Sequence, residues 1–348
     1  MKILFFIHGL YGGGAERVAS ILLNHFCEKH DTYVAVHNFK APFYPLDSRI
    51  HLIDNRIKNR FERFLPRFFK MAQTIKTVNP DIIISFLVTG NNRALGANIF
   101  CQKKIIVSER NTYKHEKSLK HKIIRRLLYP MANKVVFVTK DDCEKFRFPQ
   151  KRLTIYNPAM YNSFADYNNR PKTIVTIAPH TRWRSKGLDI LLKTWGKIAP
   201  QNPDWNLKIY GRIYGDLAEE LTSLPHERVT WAGWTDNIAD ILQKTSIFIL
   251  ASRSEGCPNS LIEAMSQGCA CIVTDCEGEP KEMIDNGIDG IIAKSEDIND
   301  IAQKLQMLID DENLRRKLSA GAIEKAKQFD KNAFFAKWDN LIEEVVGK

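Results

Sequence analysis

The sequence predicts an α/β protein built from two doubly wound, parallel-sheet domains. Apolar, strand-like runs alternate with amphipathic helical segments in both halves of the chain, which is the pattern of strands joined by crossover helices. A polar stretch over 157–171 separates the halves. The length of 348 residues suits two domains of ordinary size. We therefore expect a first domain over 1–165, a second over 172–328 and a closing segment over 329–348.

The elements of the first half begin as strand, helix and strand. Lys2–His8 is an apolar run that predicts a buried strand. Ala15–Lys29 predicts a helix, because its apolar residues recur at three- and four-residue spacing. Further short apolar runs predict strands at Thr32–Val36, Pro80–Phe86, Lys104–Ser108 and Val135–Thr139.

The same alternation restarts after the polar stretch. The predicted strands are Thr173–Ala178, Trp205–Tyr210, Val229–Ala232, Ile247–Ala251 and Ala270–Thr274. The predicted helices are Leu188–Ile198, Ile238–Lys244, Ser260–Gln267, Ile298–Asp310 and Asn313–Gln328. The final helix, Lys331–Val346, has aromatic and aliphatic residues on one side. We expect it to pack back on the first domain.

The composition excludes several classes of protein. Apolar residues make up 44% and charged residues 26% of the chain, as in ordinary globular proteins. No apolar run is long enough for a membrane-spanning helix. The short apolar start lacks a cleavage region, so we expect no signal peptide and a cytoplasmic protein. Seven scattered cysteines without C-x-x-C spacing predict reduced thiols rather than a disulfide framework or a zinc site.

Positive charge is concentrated in the first half. The formal net charge of +11 divides into +16 over 1–165 and −5 over 166–348. Such a field attracts an anionic partner, whether a nucleic acid, an acidic membrane surface or a phosphorylated substrate.

The densest basic segment, 56–70, includes Arg60, Arg63 and Arg67 interleaved with aromatic residues. Its apolar residues fall on one helical stripe, which predicts an amphipathic helix suited to an anionic bilayer surface. The alternative is that the stripe packs on the domain's own core and the basic face is simply solvated. Pro66 within the stripe indicates a break or kink. A second basic cluster spans Lys114–Arg126.

A glycine-rich loop follows the first predicted strand. Gly12, Gly13 and Gly14 precede a helix, where backbone N–H groups can approach a phosphate or a sugar closely. The spacing does not fit a dinucleotide fingerprint, because Arg17 stands where the third glycine is needed. It does not fit a P-loop either. A plain tight turn is the alternative.

The most informative segment, 252–268, spans the end of a predicted strand and the start of a helix. It places Glu255 in the loop and Glu263 on the first helical turns. The N–H groups of about 259–261 point out of the helix start toward an anion, and a carboxylate on the helix can accept ribose hydroxyls. Each glutamate also has a simpler explanation. Ser260-x-x-Glu263 has the spacing of a capping box, and Glu255 fits a solvated loop acid.

The stretch from Glu255 to Gly268 closely resembles the signature of the family 4 retaining glycosyltransferases, which have the GT-B fold of two Rossmann-like domains facing across a cleft. It reads Glu-Gly-x-Pro-Asn-Ser-Leu-Ile-Glu-Ala-Met-x-x-Gly. The resemblance covers most of the chain. It extends to Gly12–Arg17, Ser185–Asp189, Trp231–Trp234 and Gly287–Gly290. Ser85–Leu87 and Ser108–Asn111 are similar to segments of bacterial members that build O-antigens, capsules and lipid-linked oligosaccharides.

This resemblance implies which residues bind the donor. Lys186 would bind the donor diphosphate, and Gly13 and Gly14 would face it from the other domain. Glu263 would hold the ribose hydroxyls. Further donor contacts are implied for Trp234, Gly256, Cys257, Pro258, Asn259, Ser260 and Leu261.

The catalytic candidates come from the same resemblance. Glu255 would contact the donor sugar. Arg110 stands where many members have a histidine, as in a Ser-Glu-Arg-Asn subgroup. Thr181 stands where the family usually has an arginine, so we expect Arg182 or Arg184 to supply that charge.

The implied function is retaining transfer of a hexose or N-acetylhexosamine from a nucleotide diphosphate sugar, with a UDP-sugar favoured. The acceptor would be a polyprenyl-diphosphate-linked saccharide of cell-envelope glycan synthesis, at the inner face of the cell membrane. We expect no cofactor and no metal, because the sequence lacks the Asp-x-Asp pair with which the other common glycosyltransferase fold holds a metal. Two alternatives remain. One is another GT-B enzyme, such as a soluble-acceptor transferase or a nucleotide-sugar epimerase. The other is a non-catalytic nucleic-acid-binding module, although we expect no nucleic-acid partner.

Overall fold

Two units make up the chain in the computed structural model. The structure describes residues 1–56, 65–110, 119–161, 167, 169–179, 182–211, 219–278 and 280–347. The first unit comprises Met1–Asn157 together with Asn332–Lys348, and the second comprises Pro158–Lys331. Within the described ranges, no helix is both long and apolar enough to cross a bilayer.

The first unit is a parallel sheet flanked by helices. Its strands are β1 (Lys2–Ile7), β2 (Asp31–Val36), β3 (His51–Asp54), β4 (Ile82–Phe86), β5 (Lys104–Glu109), β6 (Lys134–Phe137) and β7 (Arg152–Thr154). Its helices are α1 (Gly14–Phe26), α2 (Leu65–Val78), α3 (Val88–Asn98), α4 (Leu119–Leu128), α5 (Lys140–Glu144) and the last helix of the chain, α13 (Lys331–Val346).

The strand order of this sheet is β3-β2-β1-β4-β5-β6-β7, and every pairing is parallel. The chain moves outward from β1 to β2 and β3, then returns to β4 on the other side of β1. The topological switch point therefore lies between β1 and β4, where ligands of doubly wound sheets bind outside the carboxyl ends of the strands. The glycine-rich loop leaves β1 at this edge.

The second unit repeats the architecture. Its strands are β8 (Thr173–Ile177), β9 (Asn206–Tyr210), β10 (Val229–Gly233), β11 (Ile247–Leu250), β12 (Ser254–Glu255), β13 (Ala270–Thr274), β14 (Glu277–Gly278) and β15 (Ile291–Ala293). Its helices are α6 (Leu188–Ile198), α7 (Glu219–Thr222), α8 (Ile238–Gln243), α9 (Asn259–Ser266), α10 (Pro280–Met283), α11 (Ile298–Asp310) and α12 (Glu312–Ala326).

Its main sheet has the order β10-β9-β8-β11-β13-β15, and β12 pairs with β14 in a separate short ladder. The switch point lies between β8 and β11, because the chain moves from β8 to β9 on one side and later enters β11 on the other. The loops after β8 and β11 therefore meet at one edge of the sheet. They carry Lys186 and Glu255.

The final helix, α13, packs on the first unit although it follows the second in sequence. Trp338 is fully buried, and its ring centroid lies 6.1 Å from that of Phe86. Asp339 accepts a hydrogen bond of 2.9 Å from Nε2 of His25 when that nitrogen is protonated. These contacts fix the end of the chain to the first sheet.

Most predicted elements are present within about two residues of their predicted bounds, because long periodic segments specify their type strongly. The prediction for the basic segment falls largely outside the described part of the chain. Residues 57–64 are not described, and the described part of α2 spans Leu65–Val78. The amphipathic helix predicted over 61–69 and the break predicted at Pro66 therefore stay predictions.

Candidate functional site

Three side chains meet at the switch point of the second sheet. Lys186, in the loop between β8 and α6, places Nζ 2.5 Å from Oε1 of Glu255, in the loop after β11. The hydroxyl of Ser252 donates to the same carboxylate oxygen at 2.6 Å. The lysine and glutamate side chains are only 12% and 7% exposed. The structure thus brings together two residues that the sequence singled out separately, and adds Ser252.

The pair also affects a neighbouring cysteine. Cys276, buried beside it, has its pKa raised to about 12 by burial and by the charge of Glu255. Its thiol therefore stays protonated at neutral pH and is not a nucleophile. All seven cysteines lie in described ranges, six of them are buried, and no disulfide joins them.

Arg253 fixes the loop that carries Lys186. Its guanidinium donates to both carboxylate oxygens of Asp189, at 2.7 and 2.8 Å, and to the carbonyl of Arg184 at 2.7 Å. Its backbone N–H donates to the carbonyl of Ser185 at 2.9 Å. Burial acts to raise the pKa of Asp189, but the hydrogen bonds from Arg253 outweigh it and leave that pKa lowered. The carboxylate is therefore ionised and holds the loop at neutral pH.

Gly187 is required by the backbone at this point. Its φ of +63° lies in the left-handed region, and a Cβ there would stand 1.9 Å from the carbonyl oxygen of Ala251. Only glycine allows the start of α6 to approach the end of β11 so closely. The Lys-Gly sequence therefore places Lys186 directly over the neighbouring strand end.

Helix α9 begins beside this pair and differs from its predicted form in one respect. The residue that caps it is Pro258, with no side-chain cap hydrogen bond, and Ser260 is already the second helical residue. The capping box predicted from Ser260-x-x-Glu263 is therefore not formed, because Ser260 does not occupy the cap position. Glu263 is 3% exposed in the first turns of the helix. A capping role no longer explains its presence.

The remaining donor candidates of the second unit fall into three groups by burial. Cys257, Pro258 and Leu261 are buried, and the N–H of Leu261 donates to the carbonyl of Pro258 at 3.0 Å. That N–H is thus committed to the first helical turn and does not point at an anion. Gly256, Asn259 and Ser260 are half-buried beside it. Trp234, after β10, exposes 51% of its surface.

Arg182 and Arg184, the two arginines near Lys186, have different side-chain partners. Arg182 is exposed, and its carbonyl accepts the N–H of Lys186 at 2.9 Å. Arg184 instead pairs with Glu220 at 2.8 Å and lies 4.8 Å from the ring centroid of Trp183. Thr181 lies outside the described residues. Of the two arginines, Arg182 is the one whose side chain is not engaged by Glu220.

The first unit positions its own candidates at the carboxyl edge of its sheet. Gly13 caps α1 in extended conformation, and Gly14 is the first helical residue. A Cβ on Gly13 would stand 2.3 Å from Oε2 of Glu16. β1 and β5 both pair with β4, so this loop and Arg110 lie about two strand spacings, roughly 9–10 Å, apart along the edge.

Arg110 is held firmly within the first unit. It is 8% exposed, its Nη1 donates to Oδ1 of Asn157 at 2.7 Å, and its guanidinium carbon lies 4.1 Å from the ring centroid of Phe86. The preceding residue, Glu109, is buried and lies 3.3 Å from Nη1 of Arg125. The hydroxyl of Tyr129 donates to the same carboxylate at 2.7 Å. Burial, with the charge of Glu109 adding to it, raises the pKa of Tyr129 well above its usual value.

Sequence reasoning missed Ser252, Arg253, Asp189 and Asn157. Ser252 and Arg253 stand three and two residues before Glu255, and Asp189 completes the Lys-Gly-Leu-Asp segment, so the motifs contained three of the four. Ser252 bonds to Glu255 nearby, but the partners of Arg253 and Asn157 lie far away in sequence, and no local pattern indicates such pairs. Asn157, at the polar stretch, carried no signal of its own.

The three membrane candidates belong to the basic segment. Arg60 and Arg63 lie outside the described residues, and the side chain of Arg67 in α2 is likewise not described. Among the residues that are described, no group of three or more His, Cys, Asp or Glu side chains is arranged to hold a metal ion.

Comparison with known proteins connects this geometry to a family. Residues 171–311 match a family model described as "Glycosyl transferases group 1". The chain is similar to a Campylobacter jejuni protein named GalNAc-α-(1→4)-GalNAc-α-(1→3)-diNAcBac-PP-undecaprenol α-1,4-N-acetyl-D-galactosaminyltransferase, with 26% identity over 99% of both chains. It is also 26% identical, over 95% of this chain and 96% of the relative, to the same organism's N-acetylgalactosamine-N,N'-diacetylbacillosaminyl-diphospho-undecaprenol 4-α-N-acetylgalactosaminyltransferase.

The fold agrees with this match. The crystal structure of Anabaena HepE in complex with UDP superposes with a TM-score of 0.80, covering 99% of this chain and all of that one, at 16% identity. The family match falls on the unit that carries the Lys186–Glu255 pair. The chain therefore has the GT-B fold, and its second unit matches the group 1 glycosyltransferases over residues 171–311.

Proposed function

We propose that the protein transfers a hexose or N-acetylhexosamine from a UDP-sugar to a polyprenyl-diphosphate-linked saccharide in cell-envelope glycan synthesis. The observation that carries the proposal is the buried pair of Lys186 and Glu255 at the switch point of the second sheet. Glu263 lies buried on the adjoining helix. The relatives' names supply the acceptor class, because both printed names contain an undecaprenol-linked diphosphate saccharide.

The residue types suit departure of a nucleotide diphosphate. As the bond to the sugar breaks, negative charge grows on the leaving phosphate, and fixed cations lower the barrier. Lys186 supplies one such charge and Arg182 a second. Glu255 then faces the reacting sugar, and the family resemblance implies retention, with the leaving phosphate guiding attack on the same face.

A transfer screen tests the proposal. The purified protein is incubated with a panel of nucleotide diphosphate sugars and a bacterial lipid extract, and lipid-linked product is followed by mass spectrometry. We expect product with one UDP-sugar. Product formed only on water-soluble acceptors, or a new nucleotide sugar without transfer, would identify one of the two other GT-B activities. Tight, strongly salt-dependent DNA binding without any turnover would point to the nucleic-acid module.

Substitutions of Glu263 and Glu255 are expected to affect different steps, donor binding and turnover. Glu263→Gln should weaken UDP binding about tenfold, because a carboxylate forms stronger hydrogen bonds to hydroxyls than an amide does. Glu255→Gln should lower turnover and leave UDP affinity unchanged. Calorimetric titration with UDP measures the first effect and the transfer assay the second, with melting curves as the stability control. Unchanged UDP affinity in Glu263→Gln would remove its ribose role.

Activity is expected to survive EDTA. Fixed cations such as Lys186 take the place that a divalent ion has in metal-dependent transferases. The measurement is the initial rate before and after chelation. Full loss on chelation, restored by Mn²⁺ or Mg²⁺, would contradict this mechanism.

A peripheral position at an anionic membrane is part of the same proposal. The triple variant Arg60→Glu, Arg63→Glu and Arg67→Glu should bind anionic vesicles at least a hundredfold less at low salt, since each basic residue near such a surface contributes about 1 kcal/mol. Co-sedimentation with vesicles measures this. Unchanged binding would place the contact on another surface.

A further inference from the structure

Helix α4 exposes three of its apolar residues, whereas Ile124 and Leu128 are half-buried. Leu119, Ile123 and Leu127 expose 71%, 50% and 68% of their surfaces, and Met131, just beyond the helix, exposes 50%. The four residues are spaced by four, so the first three form one continuous ridge along the helix and Met131 extends it. An ordinary surface helix turns such a stripe toward the core. We call these four residues the α4 ridge.

A charged residue occupies the inner face instead. Arg125 is fully buried and lies 3.3 Å from the carboxylate of Glu109, which is 1% exposed. Rotating the helix to bury the α4 ridge would separate this pair and leave a charge without its partner in the interior, at a cost of several kcal/mol. The buried pair therefore fixes the outward direction of the ridge. The basic cluster Lys114–Arg126 predicted Arg125 on a basic surface. Its burial excludes it from that surface.

Cations lie directly beside the ridge. At about 100° per residue, Lys122 and Arg126 project from α4 immediately to one side of Leu119 and Ile123. Both line a cavity of 240 Å³ together with Arg147, Lys145 and two phenylalanines. Lys145 also pairs with Asp141 and Asp142. The volume accommodates a phosphate group. Lys122, Arg126 and Arg147 supply cations at its wall beside apolar surface, and Arg125, which also lines it, pairs with Glu109.

An exposed apolar ridge beside basic side chains fits a lipid surface better than a soluble partner. Large exposed apolar patches mark interaction sites, and Leu-rich ridges with Lys and Arg at their margin lie in the boundary between headgroups and acyl chains. We propose that the α4 ridge docks on an anionic phospholipid surface, with the cavity beside Lys122 and Arg126 receiving a lipid phosphate. This deepens the proposed function, on which it rests for its purpose, since the proposed acceptor is held in a membrane.

Vesicle binding of matched variants tests the inference. The ridge variant carries Leu119→Ser, Ile123→Ser and Leu127→Ser, and the rim variant carries Lys122→Glu and Arg126→Glu. Controls in the second unit remove exposed groups of the same kind: Ile288→Ser with Met307→Ser, and Lys244→Glu with Lys317→Glu. Sedimentation with vesicles of phosphatidylglycerol and phosphatidylcholine, and with phosphatidylcholine alone, measures partitioning. Melting curves establish that each variant is folded.

We expect both α4 variants to lose at least tenfold in partitioning onto anionic vesicles, and the controls to bind like the wild type. The binding that remains at high salt should disappear in the ridge variant, because apolar insertion is not screened. Wild-type binding by the ridge variant would overturn the inference. Self-association through the ridge, detected by sedimentation velocity, would also overturn it. Vesicle binding that millimolar inorganic phosphate alone abolishes would overturn it as well.

The same variants separate this inference from the proposed function. Transfer to a short-chain, water-soluble acceptor analogue should proceed at the wild-type rate in the ridge variant. Absence of transfer by the wild type to every acceptor would overturn the proposed function and leave the vesicle result standing. Normal transfer with unchanged vesicle binding would overturn only the docking surface.

Discussion

Replacing Arg125 by methionine is expected to lower the free energy of unfolding of the first unit by about 3–5 kcal/mol. The substitution keeps most of the side-chain volume but removes the cation that lies 3.3 Å from the buried carboxylate of Glu109. A carboxylate that has lost both water and this partner is unstable in its charged form. The loss is a large fraction of the 5–15 kcal/mol typical of a folded domain. Urea unfolding followed by tryptophan fluorescence measures it.

The pH dependence provides an internal check. In the variant, burial without the cation raises the pKa of Glu109 above its unfolded value, so the folded state binds the proton more tightly. The difference in free energy of unfolding between the wild type and Arg125→Met should therefore shrink as the pH falls. Glu109→Gln combined with Arg125→Met should recover part of the stability, and Lys122→Met on the same helix should change it by less than about 0.5 kcal/mol. A loss below about 1 kcal/mol in Arg125→Met would show that the pair does not stabilise the fold.

Lys186→Ala is expected to lower kcat about a hundredfold, equivalent to about 2–4 kcal/mol of transition-state stabilisation. Lys186 is fixed by Gly187, by the Arg253–Asp189 interaction and by Glu255, so its charge is held in place before the reaction. A charge held in this way requires no reorganisation as the diphosphate leaves. The transfer assay at saturating donor measures kcat, and titration with UDP measures donor affinity.

A double variant distinguishes two explanations for the lower kcat of Lys186→Ala. If Lys186 acts only by neutralising Glu255, the double variant Lys186→Ala with Glu255→Gln should be as fast as Glu255→Gln alone. If it contacts the diphosphate, the double variant should stay at least as slow as Lys186→Ala. Lys193→Ala, an exposed lysine on the adjoining helix α6, serves as the control and should be silent. Near-normal turnover in Lys186→Ala would exclude the diphosphate role.

Elements with strong periodicity were predictable from the sequence. α6, β13, α11 and α13 have the bounds that the apolar pattern predicts, since a long stripe or a short apolar run specifies its own conformation. Helix α3 was not predicted. Its buried residues are mostly small, and Asn91 among them is fully buried, donating to the carbonyl of Ser108 at 2.9 Å. A helix that packs through glycine, alanine and one asparagine produces no apolar stripe.

The sequence by itself determined the alternation of strands and helices, the two-domain organisation and the segments that form the candidate site. Each depends on neighbours along the chain: spacing of apolar residues, glycines at strand ends and the stretch that includes Glu255 and Glu263. Gly187 belongs to the same group, since a glycine beside a lysine at a helix start is visible in the sequence.

Only the tertiary structure decided which distant groups meet. It paired Lys186 with Glu255, Arg253 with Asp189, and Arg125 with Glu109. It also excluded the capping box at Ser260 and turned Leu119, Ile123 and Leu127 of α4 outward. The physical reason is that such contacts follow from strand order and from which face of a helix meets the sheet. A buried charge that needs its partner can override the apolar pattern of a single helix, and local spacing carries no information about where that partner lies.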